Sequence, residues 1–416
     1  MVMSAIGASI ASVLGAGLNF LSNLFIARYF GNEAYADFSV VFSLSTILAV
    51  ILSLGFGQTL LMTLPLLSEN NSRAKIANYN SAISVLCILA SPIFLYYLMY
   101  LGFGLYTSLV VVLTGYLACL SLIKQAAYYS QEKLVEYQLI DKLIKNSSFI
   151  FLLMIGYYAG FNSTFFLVVC FATSYLLLNA AAAVLSPGRK LAVMKLGMLK
   201  RSELDWSKTL PLYLTLLLTT FLSNLDLILL KELAGKNDIA IYAAASKFSM
   251  IGNIFIISLT AAVTPRLVKY NVLDKAKAQS SATVSAVIAS ASMMFYLVFI
   301  YFHGEFLLNM FGEEYVAGKI ILLLLVVSVL MNCIFGQTAT LMKVKDETVY
   351  LIGYLGGALL LKLVLSVILY QKMGSSGVAV STVICVVFWN ILCLMHLRIK
   401  FKINTSVFSA VSLWKK

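Results

Sequence analysis

The sequence predicts an all-α integral membrane protein with about twelve transmembrane helices, on three observations. Of its 416 residues 61% are hydrophobic and 11% charged, with mean hydropathy +0.94; soluble chains carry roughly 25% charged residues. Such a chain cannot cover its own surface with polar groups, so the bilayer is its solvent. The apolar residues also fall in continuous runs of about twenty, enough to span as a helix, and do not alternate with the period of a strand. Backbone in hydrocarbon must satisfy its own hydrogen bonds, which leaves helices or a closed barrel, and the unbroken runs exclude the barrel.

Hydropathy windows place the helices at residues 4–28, 35–63, 77–101, 105–128, 141–160, 163–186, 209–233, 238–264, 279–302, 315–341, 347–370 and 375–397. The first opens with "MVMSAIGASI"; it lacks a basic n-region and its apolar stretch is too long for a secretory signal, so it reads as a membrane helix that stays. Several helices exceed the spanning length, which predicts tilt or bending, and Gly55, Gly57, Pro92 and Pro211 are the places where backbone can bend. The longest connection, "GRKLAVMKLGMLKRSELDWSK" at 188–208, mixes basic and apolar residues and is expected to lie on the anionic membrane surface with Trp206 at the interface. Connections this short leave no room for a soluble catalytic domain.

The charge pattern supplies the orientation. Lysine and arginine gather in one set of connections, including Arg73, Lys75, Lys124, Lys133, Lys142, Lys145, the 188–208 linker, Arg266, Lys269, Lys343, Lys345 and Arg398. The opposite set holds Arg28, Lys231, Lys236, Lys319 and Lys372. By the positive-inside rule both termini are cytoplasmic, and the net charge of +13 is a topology signal, with no nucleic-acid partner implied. The six cysteines lie within apolar runs without a C-x-x-C, and His303 and His396 have no neighbours at ligand spacing. Free thiols and no metal site are therefore expected.

The pentapeptide "FLSNL" occurs at 20–24 and again at 221–225, an offset of 201. Gly31 and Gly235, like Phe38 and Tyr242, are 204 apart; Pro65 and Pro265 are 200 apart, and Gln125 and Gln337 fall near comparable helix ends. An internal repeat explains these offsets. It divides the chain into six-helix lobes at 1–187 and 209–398, joined by the 188–208 linker and followed by a cytoplasmic tail at 399–416. With an even number of helices in each half, the lobes are expected to be parallel repeats related by a pseudo-two-fold along the membrane normal.

With six helices plus six, and with "IARYFGNEAYADFSVVFSLS" at 26–45 carrying an aromatic-Gly turn from the first helix into the second, the chain resembles the Wzx-type polysaccharide flippases of the multidrug/oligosaccharidyl-lipid/polysaccharide (MOP) superfamily over essentially its whole length. The resemblance implies the MOP flippase fold and a transporter, not an enzyme. It implies export of an undecaprenyl-pyrophosphate-linked oligosaccharide repeat unit, as in O-antigen and lipopolysaccharide assembly, across the bacterial inner membrane by alternating access. No cofactor is implied beyond a coupling H+ or Na+ gradient; the implied partners are the lipid-linked oligosaccharide, membrane lipids, a polysaccharide polymerase and a chain-length regulator. Two other readings stay open: a multidrug exporter of the same superfamily, and a membrane-embedded polysaccharide polymerase or ligase. One intramembrane acid against two or three cations favours an anionic substrate, and the short 303–319 connection offers no acid–base pair for a polymerase.

Moving a pyrophosphate through hydrocarbon requires cations in a hydrated cavity to replace its water. Lys247, Lys362 and Arg28 are the candidates; the competing readings are an inter-helix ion pair or snorkelling for the lysines and an interfacial anchor for Arg28. Asp226 directly follows the second "FLSNL" and is expected either to pair with Lys247 or to bind a coupling ion. Asn23 and Asn224, with Ser12, Asn19 and Thr220 at helical spacing, form either a sugar-facing cavity wall or helix–helix hydrogen bonds. At the repeat offset Phe25 becomes Asp226 and Arg28 faces Leu229, which marks where the two copies diverge.

Overall fold

A computed structural model describes residues 2–64, 69–185, 206–273 and 275–410. Most of the predicted linker, the end of the tail and Pro65 lie outside the described residues. Within them the chain is helical and contains no strand. Among the described residues ten helices are long and apolar enough to cross a membrane, against about twelve expected from hydropathy. The chain divides into two compact units, Met1–Glu232 and Leu233–Lys416.

The first unit contains α1 (Val2–Tyr29), α2 (Asn32–Ser53), α3 (Phe56–Thr63), α4 (Glu69–Tyr100), α5 (Leu105–Ser130), α6 (Leu134–Leu139), α7 (Lys145–Tyr158), α8 (Thr164–Val184) and α9 (Trp206–Leu233). A π-helical turn, Ile140–Ile144, joins α6 to α7, so that residues 134–158 run as one helix. The predicted helix at 35–63 is broken into α2 and α3. Leu54 and Gly55 both take the left-handed conformation (φ 39° and 77°), which interrupts the i→i−4 ladder and leaves carbonyls at the end of α2 to be satisfied elsewhere. Tyr213 donates its hydroxyl to Ile51 O at 3.2 Å, and the Thr59 and Thr209 hydroxyls meet at 2.8 Å. A Cβ on Gly55 would lie 2.9 Å from Tyr213 Cβ. These contacts place α9 in the first unit, although the sequence repeat matches it to α1. At its other end Lys231 pairs with Asp37 of α2 at 2.7 Å. Pro92 sits inside an unbroken α4.

The second unit contains α10 (Lys236–Leu273), α11 (Lys275–Asn309), a 3-10 turn at Glu313–Gly318, α12 (Lys319–Phe335), α13 (Thr338–Val344), α14 (Thr348–Met373) and α15 (Ser375–Phe401). Gly336 (φ 73°) separates α12 from α13. After α15 the chain reverses at Lys402 (φ 57°) and residues 403–410 turn back onto the unit. Ile403, Thr405 and Ser406 are buried; Thr405 Oγ1 donates to Phe335 O at 2.8 Å, and the Thr283 and Ser409 hydroxyls meet at 2.6 Å. This returning strap thus satisfies a carbonyl orphaned by the break at Gly336.

Large apolar side chains face outward on single stripes: Ile88, Leu89, Ile93 and Tyr96 on α4, and Phe295, Phe302 and Phe306 on α11. In water such stripes would drive association; in a bilayer they are the lipid-facing surface.

The repeat survives in local geometry. Gly31 O accepts from Tyr35 N at 3.1 Å, and Gly235 O accepts from Ile239 N at 3.3 Å. Between α5 and α6, Glu132 is left-handed (φ 60°) and Lys133 N reaches back to Tyr128 O at 3.1 Å; between α13 and α14, Asp346 is left-handed (φ 58°) and Glu347 N reaches back to Met342 O at 2.9 Å. These are the same helix-ending turn. Gly160 (φ 80°) follows α7 and Gly374 (φ 60°) follows α14, each at positive φ.

Candidate functional site

In the first unit α2, α5, the α6–α7 helix and α8 enclose a cavity of about 240 Å³, lined among others by Thr46, Ser121, Gln125, Tyr137, Asp141, Lys142, Lys145 and Tyr175. The π-helical turn arranges its charges. Lys145 N–H bonds to Ile140 O, five residues back, which inserts one residue into the turn. Asp141, Lys142 and Lys145 then line one cavity, which Lys142 would not reach as readily from a regular 3.6-residue turn. Asp141 binds both amines: Oδ1 is 2.9 Å from Lys145 Nζ and Oδ2 is 2.8 Å from Lys142 Nζ. Lys145 also sits over the Tyr175 ring, 4.9 Å from its centroid.

α1 braces this turn from behind. Gly15 packs so closely that a Cβ there would lie 2.4 Å from Lys142 Cβ. Asn146 donates to Gly15 O at 2.8 Å and to Lys142 O at 2.9 Å, tying the two helices together. Ser12 donates to Gln138 Oε1 at 3.3 Å, and Gln138 donates to Tyr129 Oη at 2.6 Å, a hydroxyl that also accepts from Gln125 of the cavity wall at 3.1 Å. Nearby, Lys124 donates to Asn179 O at 2.5 Å, so it joins α5 to α8 inside the unit.

Two ammonium groups against one carboxylate give the cavity a surplus positive charge; of the three donors on each, Asp141 takes one, and Tyr175 takes another from Lys145. An anion with several oxygens could take the remaining donors. In the sequence, Lys142 and Lys145 read only as orientation markers. The available signal was the D-K-x-x-K spacing, which puts a carboxylate within reach of an amine one turn later; the π turn that gathers all three is not legible in the residues.

The residues singled out from sequence fall in both units, and each is described within its own unit. Asn23 is buried and donates to Asn19 O at 2.7 Å, and Asn224 is half-buried and donates to Thr220 O at 2.9 Å. Both amides thus bond to their own helix one turn back, the same conformation in both copies of "FLSNL". Arg28 is exposed at the end of α1, and Phe25 packs on Tyr29 with ring centroids 4.6 Å apart. Asp226 is buried in the first unit and Lys247 in the second. Lys362 is 1% exposed, on the buried stripe of α14 with Leu351, Leu355, Ala358 and Ser366. One turn on, the Ser366 hydroxyl meets that of Ser381 on α15 at 2.7 Å, so this is the face that α15 covers.

Among curated proteins, no sequence matches this chain. The family described as polysaccharide biosynthesis protein matches residues 2–271, and the MatE family matches residues 211–368. Solved structures that share the fold include the following. One is an inward-facing multidrug resistance MATE family transporter of the MOP superfamily, 15% identical, with TM-score 0.75 over 96% of this chain and 98% of that one. Another is the lipid II flippase MurJ in an inward closed conformation, 13% identical, with TM-score 0.76 over 96% of this chain and 88% of that one. An outward-facing MATE transporter of the superfamily, 15% identical, aligns with TM-score 0.66 over 96% of this chain and 95% of its own length. With a family match over more than half its length, the chain belongs to the polysaccharide biosynthesis protein family, and its fold is that of the MATE transporters and MurJ.

Proposed function

We propose that this protein is a flippase that carries an undecaprenyl-pyrophosphate-linked oligosaccharide repeat unit from the cytoplasmic to the periplasmic leaflet of a bacterial inner membrane, by alternating access, for O-antigen or related surface polysaccharide. The observation that carries this reading is the surplus positive charge in the first unit's cavity. A pyrophosphate leaving water needs charge-assisted donors in place of its hydration, and Lys142 and Lys145 supply them on a rigid turn. Asp141 holds the two amines in place when no substrate is bound, and the substrate's phosphates compete with it for the same donors. Lys247 and Lys362 are candidate phosphate contacts of the second unit, Arg28 is one at the end of α1, and Asn23 and Asn224 are candidate sugar contacts through their amide oxygens. Asp226 is the site for a coupling H+ or Na+. Both termini are cytoplasmic, and a polysaccharide polymerase and chain-length regulator receive the product.

A second reading, a multidrug exporter, is favoured by the MatE match over 211–368. Expression in a strain that lacks its own polysaccharide flippase separates them. Restored surface polysaccharide, lost again in Lys142→Ala/Lys145→Ala at normal protein level, supports the flippase; raised drug resistance without polysaccharide supports the exporter.

A further inference from the structure

The second unit holds a cavity of different chemistry. It has a volume of about 150 Å³ and is lined by Thr260 of α10, Ser285 of α11, Asn332 of α12, Gln337 at the break, Thr340 of α13 and Trp389 of α15, with small residues between them. Among the described residues no Asp, Glu, Lys or Arg lines it. Gln337 Nε2 donates to Thr260 Oγ1 at 2.9 Å, and Thr340 Oγ1 donates to Gln337 Oε1 at 3.0 Å. Behind them Thr338 Oγ1 donates to Asn390 Oδ1 at 2.8 Å, and Asn390 Nδ2 donates to Asn332 Oδ1 at 3.2 Å. The wall amides are thus oriented before any ligand arrives, which lowers the entropy lost on binding.

What this network leaves over is specific. The Asn332 amide N–H groups and the Trp389 indole N–H make no hydrogen bond among the described residues, and the Trp389 ring adds an aromatic wall. Gly336 opens the space: its φ of 73° breaks the helix, and a Cβ there would meet Thr405 O of the returning strap at 2.4 Å. A cavity of about 150 Å³ accommodates one six-membered ring. Neutral walls, fixed amides, hydroxyls and one aromatic face match a ring that carries hydroxyls on its edge and C–H groups on its face.

We infer that this pocket is a subsite for one neutral pyranose ring of the transported glycan, separate from the cationic cavity that takes phosphate. The inference rests on the oligosaccharide flippase reading for its ligand class, but its pocket chemistry stands on the second unit alone.

The test uses the full-length protein in nanodiscs, with Trp206 and Trp414 replaced by Phe so that Trp389 alone emits. The probes are methyl glycosides of neutral hexoses and N-acetylhexosamines, with inorganic pyrophosphate as the charged control. At least one glycoside should shift Trp389 emission saturably, pyrophosphate should not, and Asn332→Ala or Gln337→Leu should weaken the response about tenfold, the equivalent of one lost hydrogen bond. Thermal unfolding of each variant identifies any that is misfolded, and Trp389→Phe, read by isothermal titration, provides a variant that keeps the ring. A response to none of the glycosides up to their solubility, in a protein that restores polysaccharide in cells, overturns the pocket and leaves the flippase reading intact. A glycoside response in a protein that restores no polysaccharide overturns the flippase reading and supports the pocket.

Discussion

Asp141 grips Lys145 at 2.9 Å and Lys142 at 2.8 Å, one amine on each carboxylate oxygen, within a single π-helical turn. Asp141→Asn removes the charge between the two amines and leaves them facing each other. The expected cost is about 2 kcal/mol, below that of a fully buried pair because the cavity is open to water. Pyrophosphate should recover part of the loss by replacing the carboxylate, so its addition should raise the melting temperature of the variant more than that of the parent. Equal shifts in both proteins would exclude an anion site at these lysines.

Gly15 is required by the approach of α1 to the same turn, since its Cβ would lie 2.4 Å from Lys142 Cβ. Gly15→Ala is expected to destabilise by about 1–3 kcal/mol through displaced backbone and to reduce polysaccharide export. Gly17, on the same helix with nothing near its Cβ position, is the control; Gly17→Ala should be neutral or slightly stabilising through helix propensity. Thermal unfolding of the two variants checks the contrast.

Glu132 and Asp346 are both exposed and left-handed at matching turns. Gly relieves the left-handed strain but adds unfolded-state entropy, so Glu132→Gly and Asp346→Gly should each stabilise by only about 0.5 kcal/mol. Because the sites lie in separate units, the double variant should show the sum. Destabilisation by either substitution would show that the carboxylate makes a contact that matters.

The strap should act through Thr405. Thr405→Val keeps its shape and removes the donor to Phe335 O, at an expected cost of about 1 kcal/mol. Hydrogen exchange should quicken at residues 336–340, where the helix is already broken, and stay unchanged in the first unit. Uniform acceleration would instead mean a global loss of stability.

The helical membrane class and approximate helix ends were legible because each rests on local quantities, the length of an apolar run and its hydropathy; of about twelve expected spans the described residues show ten. "FLSNL" kept its meaning in three dimensions, with Asn23 and Asn224 both bonded to the carbonyl four residues back. The matching turns at Glu132 and Asp346 are invisible in one dimension, because backbone conformation is preserved there while the neighbouring residues differ. The break at Leu54–Gly55 was legible as a place to bend; Tyr213, more than 150 positions away in the chain, donates its hydroxyl to Ile51 O beside it.

By itself, then, the sequence determined that this is a helical membrane protein whose landmarks recur at offsets of about 200 residues. Only the tertiary structure decided which charges and amides meet. Lys142 and Lys145, which read as orientation markers, turn into a cavity around Asp141 because a π turn adds one residue and Gly15 lets α1 close in behind it. Gln337, a weak partner of Gln125 in the repeat, becomes the centre of a neutral pocket with Trp389 because Gly336 interrupts its helix. Apolar patterning is additive along the chain and can be read residue by residue; a polar site depends on a few backbone irregularities and on contacts distant in sequence.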